Sequence, residues 1–277
     1  MRNPFRTALH VGIGEREITL FDERGGKAAP AFYQAAWRCQ EPGAAGQCQQ
    51  LLTQLFKDAD LRGGRVRVVL ADALVRYFTV TPPANVSDLR DCEAAAALRF
   101  ESLFDETPGQ WLIRADWRPT QSFLACAVPR LLKASIEEAA SAAHLTQMGM
   151  LPHFLSAWNQ WRHRVVPDGW LVLAHGSQLS LGIASRQRLH SVKRLASSTA
   201  LDGRLDRLPD LLRREALFLA REMPTQVSII APLMPPWQRD GAEGKHFARI
   251  EPDTSFLMAV PQALREAAAL TLIGGRT

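Results

Sequence analysis

The sequence predicts an α/β protein of two lobes with a small α+β unit inserted between them. The main observation is an order of strand, strand, strand, helix, strand that occurs twice, over residues 7–70 and again over 170–230. Between the two copies the chain reads helix, strand, strand, helix, which fits neither copy. A composition of 47% hydrophobic and 22% charged residues over 277 positions is ordinary for a globular chain and supplies apolar side chains for one large domain or two modest lobes. The boundaries expected are 1–84 for the first lobe, 85–146 for the insert and 147–277 for a second, reduced lobe with a C-terminal helix.

The first copy opens with a hairpin over residues 7–22. Thr7 to Val11 is an apolar run, Gly12 and Gly14 supply the turn, and Ile18 to Phe21 favour extended backbone. After Gly25-Gly26, residues 31–37 form a third strand. Leu51, Leu52, Leu55 and Phe56 are spaced for one face of a helix over 44–59, which Gly63-Gly64 ends. Strands at 66–70 and 74–80 precede the Pro82-Pro83 break. In the insert, Ser87 and Asp88 suit a helix cap, and Leu89, Cys92, Ala96, Phe100 and Leu103 share a helical face. Strands at 111–117 and 122–128 flank Pro119, and Pro129 opens a helix that presents Leu132, Ile136 and Ala139.

A short strand at 148–151 and a helix over 152–162 lead to the second copy. Residues 171–173, 179–184 and 189–192 form three strands; Leu205, Leu208, Leu212, Ala216 and Leu219 line a helix; and 227–230 is a buried-strand run. Residues 232–246, rich in Pro and Gly, read as a loop, and residues 256–272 as a short strand or turn followed by an Ala-rich helix after Pro261.

Bulk properties exclude several classes. The net charge of +5 and pI near 9.3 arise from Lys and Arg scattered among Asp and Glu. Arg65-Val66-Arg67 and Arg162-His163-Arg164 lack interleaved aromatics, so nucleic acid is not an expected partner. Four cysteines, Cys39, Cys48, Cys92 and Cys126, form no C-x-x-C pair, which predicts reduced, mostly buried thiols and no metal site. There is no signal-like apolar run at the start and no window of about 20 apolar residues, so a cytoplasmic chain without its own membrane span is expected.

The segments VRVVLADALVRYFTVTPP (66–83), DLRDCEAAAALRFESLFDETPGQW (88–111) and FLACAVPRLLKASIEEAASAAHLTQMGMLPHFLSAW (123–158) give the order a sharper meaning. Together with the duplicated lobes, they resemble the pilus and secretion branch of the actin-like ATPase superfamily, whose two-lobe fold is ribonuclease H-like. The members in question are the PilM-type protein of type IV pili and the cytoplasmic part of the GspL-type protein of type II secretion. The likeness spans about residues 7–231. It implies a cytoplasmic assembly protein, peripheral at the inner membrane through a PilN-like or GspL/GspM-like partner, with an assembly ATPase as a further candidate partner and oligomerisation left open. In PilM-like relatives a groove between the first lobe and the insert takes a short cytoplasmic segment of that partner, which here implies Leu74, Arg76, Phe78, Arg99 and Phe100.

The resemblance also implies a nucleotide cleft. Active members place a D-x-G hairpin and a D-x-G-x-x-T hairpin face to face, with glycines approaching phosphate and carboxylates organising Mg²⁺. Here the first reads His10-Val11-Gly12-Ile13-Gly14 and the second Ala174-His175-Gly176-Ser177-Gln178-Leu179. The glycines are kept and both carboxylates are gone, with His10 and Ala174 expected in their places. The third element, 227–231, runs into Pro232, which has no N–H to donate. The resemblance therefore implies a vestigial cleft of His10, Gly12, Gly14, His175, Gly176 and Ser177, without catalytic residues or metal and binding ATP weakly at most.

The rival is a nucleotide-binding ATPase or small-molecule kinase of the same superfamily, with its acid at Asp22, Asp72 or Asp202. Asp72 is the best placed, at the end of a buried strand. Other constellations read as structural. Ser177, His175 and Asp168 lack a G-x-S-x-G elbow; Glu101, Asp105 and Glu106 read as a solvated helix end near Arg99; His153 and His163 as exposed helix ends. His10 and His175 are expected to approach across the cleft as space fillers. The tryptophans at 111, 117, 158, 161 and 170 are expected mainly in the core, with any exposed ring marking an interface.

Overall fold

The computed structural model describes residues 9–23, 31–84, 88–175, 178–195, 208–231, 247–250 and Ala269. The first sheet has the order β3-β2-β1-β4-β8. It comprises β1 (Leu9–Ile13), β2 (Glu17–Asp22), β3 (Ala31–Ala36), β4 (Gly64–Leu70) and β8 (Leu145–Pro152). Pairs β1/β2 and β2/β3 are antiparallel, whereas β1/β4 and β4/β8 are parallel. The second sheet, β11-β10-β9-β12-β13, repeats this arrangement. Its strands are β9 (Trp170–His175), β10 (Gln178–Ser185), β11 (Arg188–Leu195), β12 (Val227–Ile230) and β13 (Phe247–Ile250). Again two antiparallel pairs are followed by two parallel ones.

Alternation along the strands decides what each sheet face covers. Leu9, Val11 and Ile13 of β1 join Val66, Val68 and Leu70 of β4 in a core shared with α1 (Ala44–Asp58) and α3 (Arg130–Ala142). In the second sheet Trp170, Val172 and Ala174 pack with Leu208, Leu212 and Ala216 of α5 (Leu208–Phe218). Between the lobes lies a third cluster: Phe154, Ala157 and Trp158 of α4 (His153–Trp161) with Leu171, Leu173 and Phe21. Fully burying side chains of this size is worth roughly 1.5–3 kcal/mol each. The connecting helix therefore joins the lobes through a common core.

A three-stranded sheet, β5-β7-β6, forms the insert. Its strands are β5 (Arg76–Val80), β6 (Trp111–Ala115) and β7 (Phe123–Pro129), with α2 (Leu89–Phe104) packed against them. Two sequence groupings thus change. The strand expected among the first lobe's elements pairs with β7 instead, and α3, expected in the insert, packs on α1. The helix over 152–162 and the strand at 148–151 are found, but β8 belongs to the first sheet. Strand β13 was not expected; its FARI sequence is too short to show a period. Gly25-Gly26, the whole of residues 232–246 and all of the expected C-terminal segment but Ala269 lie outside the described residues.

Helix ends follow their capping chemistry. Asp88 accepts a hydrogen bond from Asp91 N at 3.0 Å and starts α2. Cys92, Ala96 and Phe100 of that helix are buried as expected, but Leu89 and Leu103 are 50% and 44% exposed. They lie near its two ends. The cysteines are free thiols, two buried and two half-buried, and burial pushes Cys48 up to about 12 and Cys126 to about 11.

Candidate functional site: the interlobe cleft and the insert groove

The two hairpins meet between the lobes. In the first, Ile13 pairs with Ile18, and Gly14 N donates to Glu17 O at 2.8 Å to close the turn. In the second, His175 pairs with Gln178. Matching the last paired residues places Gly12 opposite Ala174 in the duplicated fold. This corrects the sequence alignment of the first hairpin: the position two residues before the turn is Gly12, and His10 lies one alternation further back. Neither Gly12 nor Ala174 has a side chain able to ligate a cation. Leu179, at the expected Thr position, is buried in the second-lobe core.

His10 is 2% exposed, its ring 6.4 Å from Phe21, its partner in the strand register. His175 packs instead on His153, ring centroids 5.1 Å apart. The expected His10–His175 approach is thus replaced by a His153–His175 pair, and His153, expected at an exposed helix end, is 1% exposed. His153 Nε2 and His175 Nδ1 are enclosed without a hydrogen-bond partner among the described residues. Burial lowers both imidazoles to about 3, which keeps them neutral. His163 is exposed as expected. Gly176 and Ser177 of the vestigial cleft lie outside the described residues.

Asp72 is the central polar residue of the cleft and is 6% exposed. Its Oδ1 accepts from Tyr77 Oη at 2.7 Å and from Phe154 N at 2.9 Å, and its Oδ2 from Ser180 Oγ at 2.7 Å. All three partners donate, which is the pattern of a carboxylate used as an acceptor. Burial raises its pKa, while these bonds and the neighbouring His175 act the other way. In sequence Asp72 suits a catalytic acid or a turn residue; in the fold it bridges the first lobe, α4 and β10. Asp22 ends β2, and Asp202 lies outside the described residues.

A second feature is a groove of about 910 Å³ beside the insert, bounded by β6, β7, α3, β8, α4 and the β10–β11 turn. Its apolar lining includes Leu112, Leu124, Met150 and Leu155, and its charges are five cations (Arg114, Arg118, Lys133, Arg162, Arg188) against two carboxylates (Asp116, Glu137). Arg118 pairs with Asp116 at 2.8 Å and Lys133 with Glu137. The five residues expected in a peptide groove are elsewhere. Leu74 is in the first-lobe core, Phe78 and Phe100 are in the insert core, and Arg99 is exposed on α2. Arg76 is held by Glu106 at 3.2 Å with its guanidinium 5.2 Å from the Trp111 ring. Leu74, Phe78 and Phe100 are buried and offer little surface to a peptide, whereas Arg76 is half-buried and Arg99 exposed. Trp111, Trp158 and Trp170 are buried, and Trp117 and Trp161 are half-buried, so no exposed ring marks an interface.

Two lobes of matching topology with hairpins facing across a cleft define the actin-like ATPase fold, and this chain has it. It is similar to a chain of the PilM-PilN type IV pilus biogenesis complex, at 14% identity and TM-score 0.57, over 98% of this chain and 99% of that one. It is also similar to Cyto-EpsL, the cytoplasmic domain of an inner membrane component of the Vibrio cholerae type II secretion system. That match has 15% identity and TM-score 0.54, over 91% of this chain and 95% of that one. No protein-family model matches the sequence, and no curated protein matches it. Among the described residues no helix is long and apolar enough to cross a membrane.

Proposed function

We propose that this chain is a non-catalytic assembly protein of a type IV pilus or type II secretion inner-membrane platform, acting in the cytoplasm and held at the membrane by a partner. The observation that carries the reading is the pair of facing hairpins whose matching positions are Gly12 and Ala174. Mg²⁺ requires near-octahedral oxygen ligation, and neither residue supplies an oxygen from its side chain. The fold's likeness to PilM-PilN and Cyto-EpsL, over nearly the whole of each chain, supports the same reading.

The insert groove is the surface best suited to a short cytoplasmic segment of a PilN-like or GspL/GspM-like protein. Its lining combines apolar side chains with an excess of cations, so a bound segment combines apolar anchors with acidic or backbone carbonyl acceptors. Synthetic segments from such a partner are expected to bind the wild-type chain in calorimetry. Arg114→Glu with Leu155→Asp is expected to weaken that binding at least tenfold while leaving the thermal transition in place. Unchanged affinity in the double variant would move the partner site elsewhere.

A further inference from the structure

Strand β10 reads Gln178-Leu179-Ser180-Leu181-Gly182-Ile183. Its odd-numbered residues, Leu179, Leu181 and Ile183, are buried in the second-lobe core. Its even-numbered residues all face the first lobe or the connecting helix. Gln178 Nε2 donates to Glu15 Oε2 at 2.5 Å, joining the two hairpins directly. Ser180 Oγ donates to Asp72. Gly182 lies under the Phe154 ring so closely that an added Cβ would be 2.2 Å from Cζ. One strand face therefore makes three successive attachments across the cleft, at Glu15, at Asp72 and at α4.

We propose that β10 is a built-in latch that fixes the lobes in one closed arrangement, so that closure needs no nucleotide. The Glu15 carboxylate sits at the first hairpin's turn and meets an amide donor from the second, which supplies within one chain an anion-to-donor bridge between the hairpins. A carboxylate fully engaged by donors from both sides, as Asp72 is, adds a second bridge whose breakage leaves buried groups unpaired. The latch is independent of which partner the insert groove holds.

Interlobe distance tests this. Unnatural-amino-acid spin labels at exposed Gln50 on α1 and Arg214 on α5 report the lobe separation in the full chain. A single narrow distance distribution is expected, unchanged by millimolar Mg-ATP. Loss of that narrow peak is expected in Gln178→Ala/Ser180→Ala, or in Gln178→Ala alone should the double variant not fold. Gln178→Glu sets two carboxylates against each other at the same contact and is expected to open the lobes at neutral pH. A wild-type distribution that is broad, or that narrows only with Mg-ATP, would overturn the latch, as would variants indistinguishable from wild type.

Discussion

At the scale of single residues, the interior of the cleft is governed by groups that must stay in one protonation state. The acceptor pattern at Asp72 makes its side chain structural: Asp72→Ala strands three donors, Tyr77 Oη, Ser180 Oγ and Phe154 N, in a buried site. A loss of roughly 3 kcal/mol in unfolding free energy is expected by denaturant titration, with Ser180→Ala costing about 1 kcal/mol and the pair coupled in a double-mutant cycle. His153 and His175 set the pH dependence. Their folded values near 3 lie below the ordinary 6.5, so the unfolded chain takes up protons first as pH falls. Stability from this pair is complete above 6.5 and lost from there down to about 3, at about 1.4 kcal/mol per pH unit for each ring. Asp72, raised from 3.8, works in the opposite sense: its contribution declines as pH rises from 3.8 to its folded value. His190, also lowered chiefly by burial, acts in the same sense as the pair. Denaturation midpoints between pH 6.5 and 5 should therefore fall with acid, and His153→Gln should reduce that slope. The sequence showed these histidines but not their pairing, because residues 153 and 175 meet only through the docking of α4 on the second sheet.

Elements explain what was readable and what was not. Strands with a largely β-branched apolar run, such as 66–70 and 227–230, and helices with a sustained apolar face, such as 44–59, emerge where expected because such runs are buried on both faces and helical spacing fixes one. Partnership between elements is different. Nothing local in Arg76-Tyr77-Phe78-Thr79-Val80 distinguishes pairing with β7 from pairing with the first sheet, and the expected peptide groove failed on this point, since Phe78 and Phe100 are spent in the insert core. The mistaken match of His10 to the carboxylate position has a similar origin: a glycine-rich string allows two registers, and the pairing of Ile13 with Ile18 selects one. The polar and small residues alternating along β10 were a legible sign of a face meeting another surface, though not of which surface. Gly182→Ala tests that face, because the Phe154 ring above it is fully buried and has nowhere to move. A destabilisation of about 1–3 kcal/mol is expected in chemical denaturation.

For the whole molecule, the duplicated lobes, the shared core around α4 and the bridges from β10 describe an actin-like ATPase fold whose cleft is spanned by its own side chains. Retained hairpins without carboxylates follow if the fold is kept for the surfaces it presents. On the proposed function, the groove beside the insert is the working surface, and the latched cleft holds it in shape. The most direct test of this account is calorimetric titration of the purified chain with ATP, with and without Mg²⁺, at protein concentrations that detect a dissociation constant near 1 mM, or roughly 4 kcal/mol of binding. The account predicts no Mg²⁺-dependent heat and no phosphate release. Micromolar binding that requires Mg²⁺ would contradict it, and would mean that a carboxylate such as Glu15 leaves Gln178 to take the metal.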